Sequence, residues 1–142
     1  MSLEKTALPV SANRRTGKKH FSLKEANDAL VYVERVVEDL MGCYCEVVDL
    51  RRRIEHPDVG DHSEHLEAVY EDAMDRLGEF VDELHHVGVE LKDFEKGIVD
   101  FPAVDGGRDV CLCWKFGEDQ ILSWHETDAG YTGRQHVDLL AH

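Results

Sequence analysis

Residues 21–57 read FSLKEANDALVYVERVVEDLMGCYCEVVDLRRRIEHP and carry the strongest structural signal in the chain. Ser22 and Glu25 have the spacing of a capping box, in which each side chain bonds a backbone N–H at the start of a helix. Apolar residues then recur at alternating intervals of four and three, which predicts a coiled-coil-like helix with one buried seam. Pro57 disfavours helical geometry in the preceding residue, so the helix should end near His56. The seam residues are Ala26, Leu30, Val33, Val37, Leu40, Tyr44, Val47 and Ile54, interrupted only by Arg51.

A second amphipathic helix is predicted after a short polar connection, residues 57–62. It begins at Ser63, and Gly88 fits the left-handed residue that commonly follows a helix end. Because the connection is short, the two helices must fold back as an antiparallel hairpin. Such a hairpin buries one stripe of each helix, so we expect a covering surface: a sheet of the same chain, a second copy, or both. The second seam consists of Leu66, Val69, Ala73, Leu77, Phe80, Leu84 and Val87.

Short strands are predicted after the helices, where the apolar period changes. Residues 98–101 indicate a strand that Pro102 stops. Residues 109–116 and 121–126 indicate a β-hairpin around a turn at 117–120. The predicted fold class is therefore α+β, a long antiparallel helical hairpin packed with a small antiparallel β-sheet.

The length of the turn in the predicted hairpin decides which residues of its two strands share a face of the sheet. Side chains alternate across a strand, and a turn of even length keeps paired residues on one face. With that turn, His125 would lie on the face opposite Cys113, which disfavours a Cys–His nucleophile. Cys111 and Cys113 share a face, so half a zinc site is geometrically feasible, although small buried hydrophobes are the favoured interpretation.

Composition limits the class of protein. The chain has 142 residues, with 16 Lys and Arg against 30 Asp and Glu, and a formal charge of -14. This acidity argues against nucleic-acid binding, which needs clustered basic residues. The longest apolar run is five residues, too short for a membrane span. The N-terminus lacks the apolar segment of a secretory signal, so a cytoplasmic protein with reduced thiols is expected.

The predicted organisation is one domain with an appended arm. Residues 1–19 hold five basic residues and no apolar period, which predicts a flexible basic arm. Residues 20–142 form a single domain, with the helical hairpin in 20–88 and a small β segment with a C-terminal tail in 89–142. No internal repeat is visible.

The densest polar patch is WHETDAGYTGRQH, residues 124–136. It contains ligand types for zinc or another divalent ion, in a spacing that matches no standard motif. The simpler interpretation is that His125 and Glu126 bond backbone groups and fix the tail. No cofactor is firmly implied. The metal candidates are His125, Glu126, Asp128 and His136.

The same patch offers a second kind of site. Gly130 and Gly133 would let backbone N–H groups turn inward, and the Arg134 guanidinium could grip a phosphate or carboxylate. Aromatic rings beside them could wall a pocket, or they could belong to the core. The candidates for binding a small anionic ligand are Gly130, Gly133, Arg134, Gln135, Trp114 and Trp124.

Four blocks of sequence carry a family resemblance: FSLKEAN (21–27), GVELKDFEKGIVDFPA (88–103), CWKFGE (113–118) and WHETDAGYTGRQ (124–135). Together they resemble the bacterial domain-of-unknown-function family 2203, over roughly residues 20–136. The resemblance implies a small bacterial protein with a helical hairpin and a compact C-terminal segment, and no established activity. The family motif falls here on Asp100, Phe101, Pro102, Cys113, Trp114, Gly117, Glu118, Trp124, His125, Gly130, Gly133, Arg134 and Gln135.

Two functions from different classes remain open at this point. The first is a non-enzymatic interaction or scaffold protein that self-associates through its helices, as a homodimer. Its basis is the seam, the acidity and the absence of familiar catalytic motifs. The second is a metal- or anion-binding protein, or an enzyme with such a site, that uses the C-terminal patch. His125 would then be a ligand or base and Arg134 the anion clamp.

Overall fold

The computed structural model describes residues 12–13 and 18–140, and the predicted basic arm lies mostly outside these residues. Two short strands, β1 (Ala12–Asn13) and β2 (Lys18–Lys19), pair antiparallel. The helical hairpin consists of α1 (Leu23–Glu55) and α2 (Ser63–Val87). The described helices include none long and apolar enough to cross a membrane.

The helix boundaries confirm the sequence signals. The Ser22 hydroxyl accepts a hydrogen bond from the Glu25 backbone N–H at 3.0 Å, and the Glu25 carboxylate accepts one from the Ser22 N–H at 2.9 Å. Both reciprocal bonds of the capping box are therefore formed. Gly88 ends α2 with φ 104°, a conformation that a residue with a Cβ rarely adopts.

Replacing Ser22 by alanine should destabilise the protein by about 1 kcal/mol, because the Glu25 N–H then loses its hydrogen-bond acceptor at the start of α1. For a chain of this size, that corresponds to a fall in Tm of roughly 2–4 °C. Ser63→Ala is the matched control and should change Tm less, because the N-cap of α2 is His62 and makes no side-chain cap hydrogen bond. Equal Tm values for the two variants in calorimetry would show that the capping box contributes nothing measurable.

A five-stranded antiparallel sheet follows the helices, in the order β3-β4-β5-β6-β7. The fold class is α+β, as predicted. The sequence analysis did not predict β3 and β7. It placed the ends of the other three strands of this sheet within a few residues of those observed. The strands are β3 (Glu90–Asp93), β4 (Ile98–Asp105), β5 (Arg108–Lys115), β6 (Ser123–Glu126) and β7 (Gln135–His136).

Pro102 does not stop its strand, contrary to the prediction. It lies within β4, opposite Cys111 of β5. Its carbonyl accepts a hydrogen bond from the Phe21 N–H at 2.7 Å, on the side of β4 that faces away from β5. Proline lacks an N–H, and on that side, beyond the end of β3, no ladder bond is lost.

The inner face of the sheet packs against the helices in one core. Phe21 meets Phe101 edge to face at 5.2 Å between ring centroids, and the side chain of Asn27 on α1 accepts the Ile121 N–H at 2.7 Å. Trp114 and Trp124 belong to this core. The inner-face residues are Val99, Phe101, Ala103, Val110, Leu112, Trp114 and Trp124.

The outer face carries the polar residues, and the predicted parity of the β5–β6 hairpin is wrong. Cys111 lies opposite His125 and Cys113 opposite Ser123, so His125 shares a face with both cysteines. The connection runs from Phe116 to Leu122, an odd number of residues, rather than through a four-residue turn. One residue of difference in loop length exchanges the two faces of the following strand.

Candidate functional site

Two buried polar side chains meet on the outer face above β5. Asp100 lies on β4 and His125 on β6, on either side of the central strand. Their side chains reach over β5, and His125 Nε2 lies 3.0 Å from Asp100 Oδ1. They are 2% and 1% exposed, respectively. Such groups are costly to bury unless each has a matched partner.

The hydrogen bonds of His125 define its protonation. Nδ1 lies 2.7 Å from the backbone oxygen of Glu126, which can only accept, so Nδ1 carries a hydrogen. In a neutral imidazole, Nε2 would then present a lone pair to the Asp100 carboxylate. A hydrogen, carried by Nε2 or by the Asp100 carboxyl group, or a metal ion is therefore needed between these two atoms.

Cys113 completes the cluster. Its thiol sulfur, His125 Nε2 and an Asp100 carboxylate oxygen all lie within 4.8 Å of one another. Burial, together with the nearby negative charge of Asp100, raises the pKa of the Cys113 thiol to about 12, although Arg134 acts in the opposite direction. A thiol held protonated is a poor nucleophile, so the arrangement does not favour thiol catalysis.

Arg134 lies over this cluster and connects it to the C-terminal segment. Its Nη1 donates to Glu118 Oε2 at 3.1 Å, and its guanidinium also hydrogen-bonds the Cys113 thiol. The guanidinium carbon lies 4.2 Å from the centre of the Tyr131 ring. His125 and Arg134 therefore converge on Cys113, and Glu118 is the ion-pair partner of Arg134.

Glu118 is itself held in place by the β5–β6 connection. Its Oε1 accepts the Lys115 N–H at 3.0 Å, and its backbone oxygen accepts the Trp114 indole N–H at 2.9 Å. Both oxygens of the carboxylate are thus engaged. The position of Arg134 over Cys113 depends on this connection.

The other metal candidates lie apart from the cluster. Glu126 accepts a hydrogen bond from Arg108 Nη1 at 2.6 Å on the opposite face of the sheet. Asp128 is exposed, and His136 Nδ1 accepts the Asp138 backbone N–H at 3.1 Å. Of the four predicted ligands, the structure brings only His125 to the three-residue group.

In the glycine turn predicted to bind an anion, two backbone N–H groups form hydrogen bonds within the turn itself. Those of Gly133 and Arg134 donate to the carbonyls of Gly130 and Tyr131, at 3.0 and 3.2 Å. A Cβ at Gly133 would lie 2.8 Å from the Cβ of Ala129, so this turn packs too closely for a larger residue.

The remaining anion-binding candidates lie at the edge of the sheet or in the core. Gln135 is exposed on β7, at the edge of the sheet. Trp114 and Trp124 are buried in the core, and the Trp124 indole N–H donates to the His136 backbone oxygen at 3.1 Å. The two rings therefore fix the β5–β6 connection and the tail.

Asp100 was absent from the candidates drawn from the polar patch, although the sequence contained two signals for it. An aspartate between Val99 and Phe101 interrupts an apolar strand, and a buried carboxylate needs a partner. The resemblance described under the sequence analysis rests partly on Asp100, and also on Cys113, Glu118, His125 and Arg134. Those motif positions are scattered over the sequence, but the sheet gathers them on one face.

The cysteines should differ sharply in reactivity. All four are reduced thiols; Cys45 is exposed on α1, whereas Cys113 is fully buried with a raised pKa. At pH 8 we expect iodoacetamide to modify Cys45 and to leave Cys113 unmodified, since its pKa of about 12 keeps it protonated. Peptide mass spectrometry measures both. If Cys113 in the folded protein were modified as fast as Cys45, the description of Cys113 as a buried, protonated thiol would be contradicted.

Fold and site define the class: an α+β protein in which a helical hairpin covers one face of an antiparallel sheet and a buried Asp–Cys–His cluster lies on the other. The chain belongs to the family described as uncharacterized conserved protein (DUF2203), which it matches over residues 19–137. The curated proteins and the solved structures gave no match. Membership of this family brings no established activity.

Proposed function

We propose that the protein binds one divalent transition-metal ion, with zinc the best match, through Asp100, Cys113 and His125. The observation that carries this proposal is the convergence of three ligand atoms within 4.8 Å, on residues that are at most 2% exposed. Imidazole nitrogen, thiolate sulfur and carboxylate oxygen are the three ligand types of protein zinc sites.

The orientation of His125 supports a metal rather than a proton between Nε2 and Asp100. Metal-bound histidines characteristically donate their other ring N–H to a carbonyl or carboxylate, and Nδ1 faces the Glu126 carbonyl at 2.7 Å. A single proton would join only Asp100 and His125, and the Cys113 thiol would then contact this pair through its hydrogen bond to Asp100 alone. A divalent ion would engage all three atoms.

Charge balance points the same way. A carboxylate and a thiolate together cancel the two positive charges of the ion, so the centre would be neutral in a site that excludes water. Binding would also displace the proton of the Cys113 thiol, as metal coordination does with other thiols. The Arg134–Glu118 pair above it is neutral as well.

The role that this ion would play is to join strands β4, β5 and β6 on the face that the helices leave uncovered. The sequence distance between Asp100 and His125 makes such a link a long-range constraint. Arg134, which contacts Cys113, would extend its effect to the C-terminal segment. The function proposed is thus metal binding within an uncharacterised family.

The test is the metal content of untagged protein, measured by plasma mass spectrometry after zinc loading and desalting. We expect close to one equivalent in the parent protein and less than a tenth of that in His125→Gln and Cys113→Ser. His136→Gln is the matched control because it changes an exposed histidine of the same segment, and it should retain the metal. Circular dichroism checks that each variant folds. A folded parent protein that binds no zinc would refute the proposal.

Self-association and a cytoplasmic location, in a bacterium, remain further proposals. The seam that suggested a homodimer is largely buried within one chain, so a dimer would depend on exposed apolar side chains such as Val31, Tyr32 and Val48. Light scattering at tens of micromolar measures this. A mass of twice 16.2 kDa would support the dimer, and 16.2 kDa would remove it.

A further inference from the structure

We propose that Cys111 supplies the fourth ligand, so that the centre is a closed site of two cysteines, one histidine and one aspartate. This inference rests on the proposed function and deepens it, because a closed four-ligand site holds a structural ion, whereas catalytic zinc keeps a position for water or substrate. Cys111 lies outside the family motif residues named above, so the inference concerns this chain.

The register of the sheet carries the inference. Asp100 lies opposite Cys113, and His125 lies opposite Cys111. The line from Asp100 to His125 therefore crosses β5 diagonally, and its midpoint lies above Leu112, between the two cysteines. An ion held by Asp100 Oδ1 and His125 Nε2 at that point would have one cysteine on each side along the strand.

The distances of a strand allow both thiolates to reach one ion. Side chains two residues apart on one face are separated by roughly 6.6–6.8 Å. Two sulfurs bound to one zinc ion at about 2.3 Å each lie roughly 3.8 Å apart in a tetrahedron. Each sulfur must lean toward the other by about 1.5 Å, which the choice of χ1 rotamer supplies. The Cys111 sulfur lies outside the compact group in the structure, on a half-buried side chain, so it has to rotate inward.

The surrounding charges suit a second thiolate. Two thiolates and a carboxylate around a divalent ion leave one net negative charge. The Lys92 ammonium on β3 lies within electrostatic reach of both Asp100 and Cys111. Arg134 contacts Cys113 from the other side. These two cations would offset the negative charge in part, because Lys92 also pairs with Glu90 and Arg134 also pairs with Glu118.

Cobalt substitution tests the number of thiolates. Co²⁺ bound by thiolates shows a sulfur-to-cobalt charge-transfer band whose intensity grows with the number of thiolates. We expect Cys111→Ser to keep one equivalent of cobalt, weakened in affinity, with about half of the parent band, since one of two thiolates is lost. Cys45→Ser, an exposed cysteine on α1, is the control and should leave the band unchanged.

The outcomes separate this inference from the proposed function. If Cys111→Ser binds cobalt with the full parent band while Cys113→Ser loses the band entirely, Cys113 is the sole thiolate, and the inference fails although the metal site stands. If the parent protein binds neither cobalt nor zinc, the proposed function fails. A band halved by Cys111→Ser, with one equivalent of cobalt still bound and the Cys45→Ser band unchanged, supports four-ligand binding.

Discussion

Asp100→Ala should lower the free energy of unfolding by about 3–5 kcal/mol, the range found when one partner of a buried ionic pair is removed. The loss leaves His125 Nε2 without its partner in a site that is 1% exposed to water. Urea unfolding followed by circular dichroism measures it. The same variant should bind no zinc, because a carboxylate ligand is gone.

Asp100→Asn is the matched comparison that separates the pair from the metal. The Asn side chain keeps the shape of Asp and can donate an N–H to a neutral Nε2, so the loss of stability in the absence of metal should be much smaller than for alanine. It should nevertheless weaken zinc binding by more than the roughly 10–100-fold found when an outer partner of a ligand is removed. Asp100→Ala with parent-like stability would contradict the buried pair.

Trp114→Ala should cost about 3–5 kcal/mol, the usual range for removing a large aromatic side chain from a core. The Trp114 ring is fully buried and meets Phe116 edge to face at 6.0 Å between centroids. Its indole N–H also holds the backbone of Glu118, the partner of Arg134. Denaturant unfolding, followed by the fluorescence of the remaining tryptophan, Trp124, gives the value.

Two comparison variants define what Trp114 contributes. Trp114→Phe retains most of the buried ring and loses the bond to Glu118, so its cost should be clearly smaller than that of alanine. Tyr32→Ala removes an aromatic ring that is 47% exposed and should cost far less. A Trp114→Ala protein as stable as Tyr32→Ala would show that this part of the sheet is not packed as described.

The helical half of the fold could be predicted closely because its signals are local. The Ser22–Glu25 capping box, Pro57 and Gly88 each act within one helical turn of the boundary that they set. The apolar seam needs no knowledge of distant residues to place the buried side of a helix. Both helices accordingly begin and end within a residue of the prediction.

The sheet was harder to predict because its pairing depends on loop length. Between β5 and β6, one residue more or less in the connection decides whether His125 faces Cys113 or the core. Neither the composition of the loop nor the glycine at 117 reveals whether the connection has an odd or an even length. The strand at Pro102 depended on a distant contact with Phe21, which local patterns do not contain.

The candidate site was recovered only in part for the same reason. His125 and Arg134 could be singled out because they lie in one dense polar patch. Asp100 and Cys113 are remote in sequence and join them only through the register of three strands. Glu126 and Asp128 were predicted as metal ligands because they lie close to His125 in the sequence. Neighbouring residues on a strand, however, point to opposite faces of the sheet.

The most direct test of the metal site is an anomalous diffraction map, collected at the zinc absorption edge from crystals grown with zinc. We expect one peak above β5, at about 2.0–2.3 Å from Asp100 Oδ1, Cys113 Sγ and His125 Nε2. A map without a peak there, in crystals in which Nε2 still bonds Asp100 directly, would contradict the proposal that this cluster binds a metal ion.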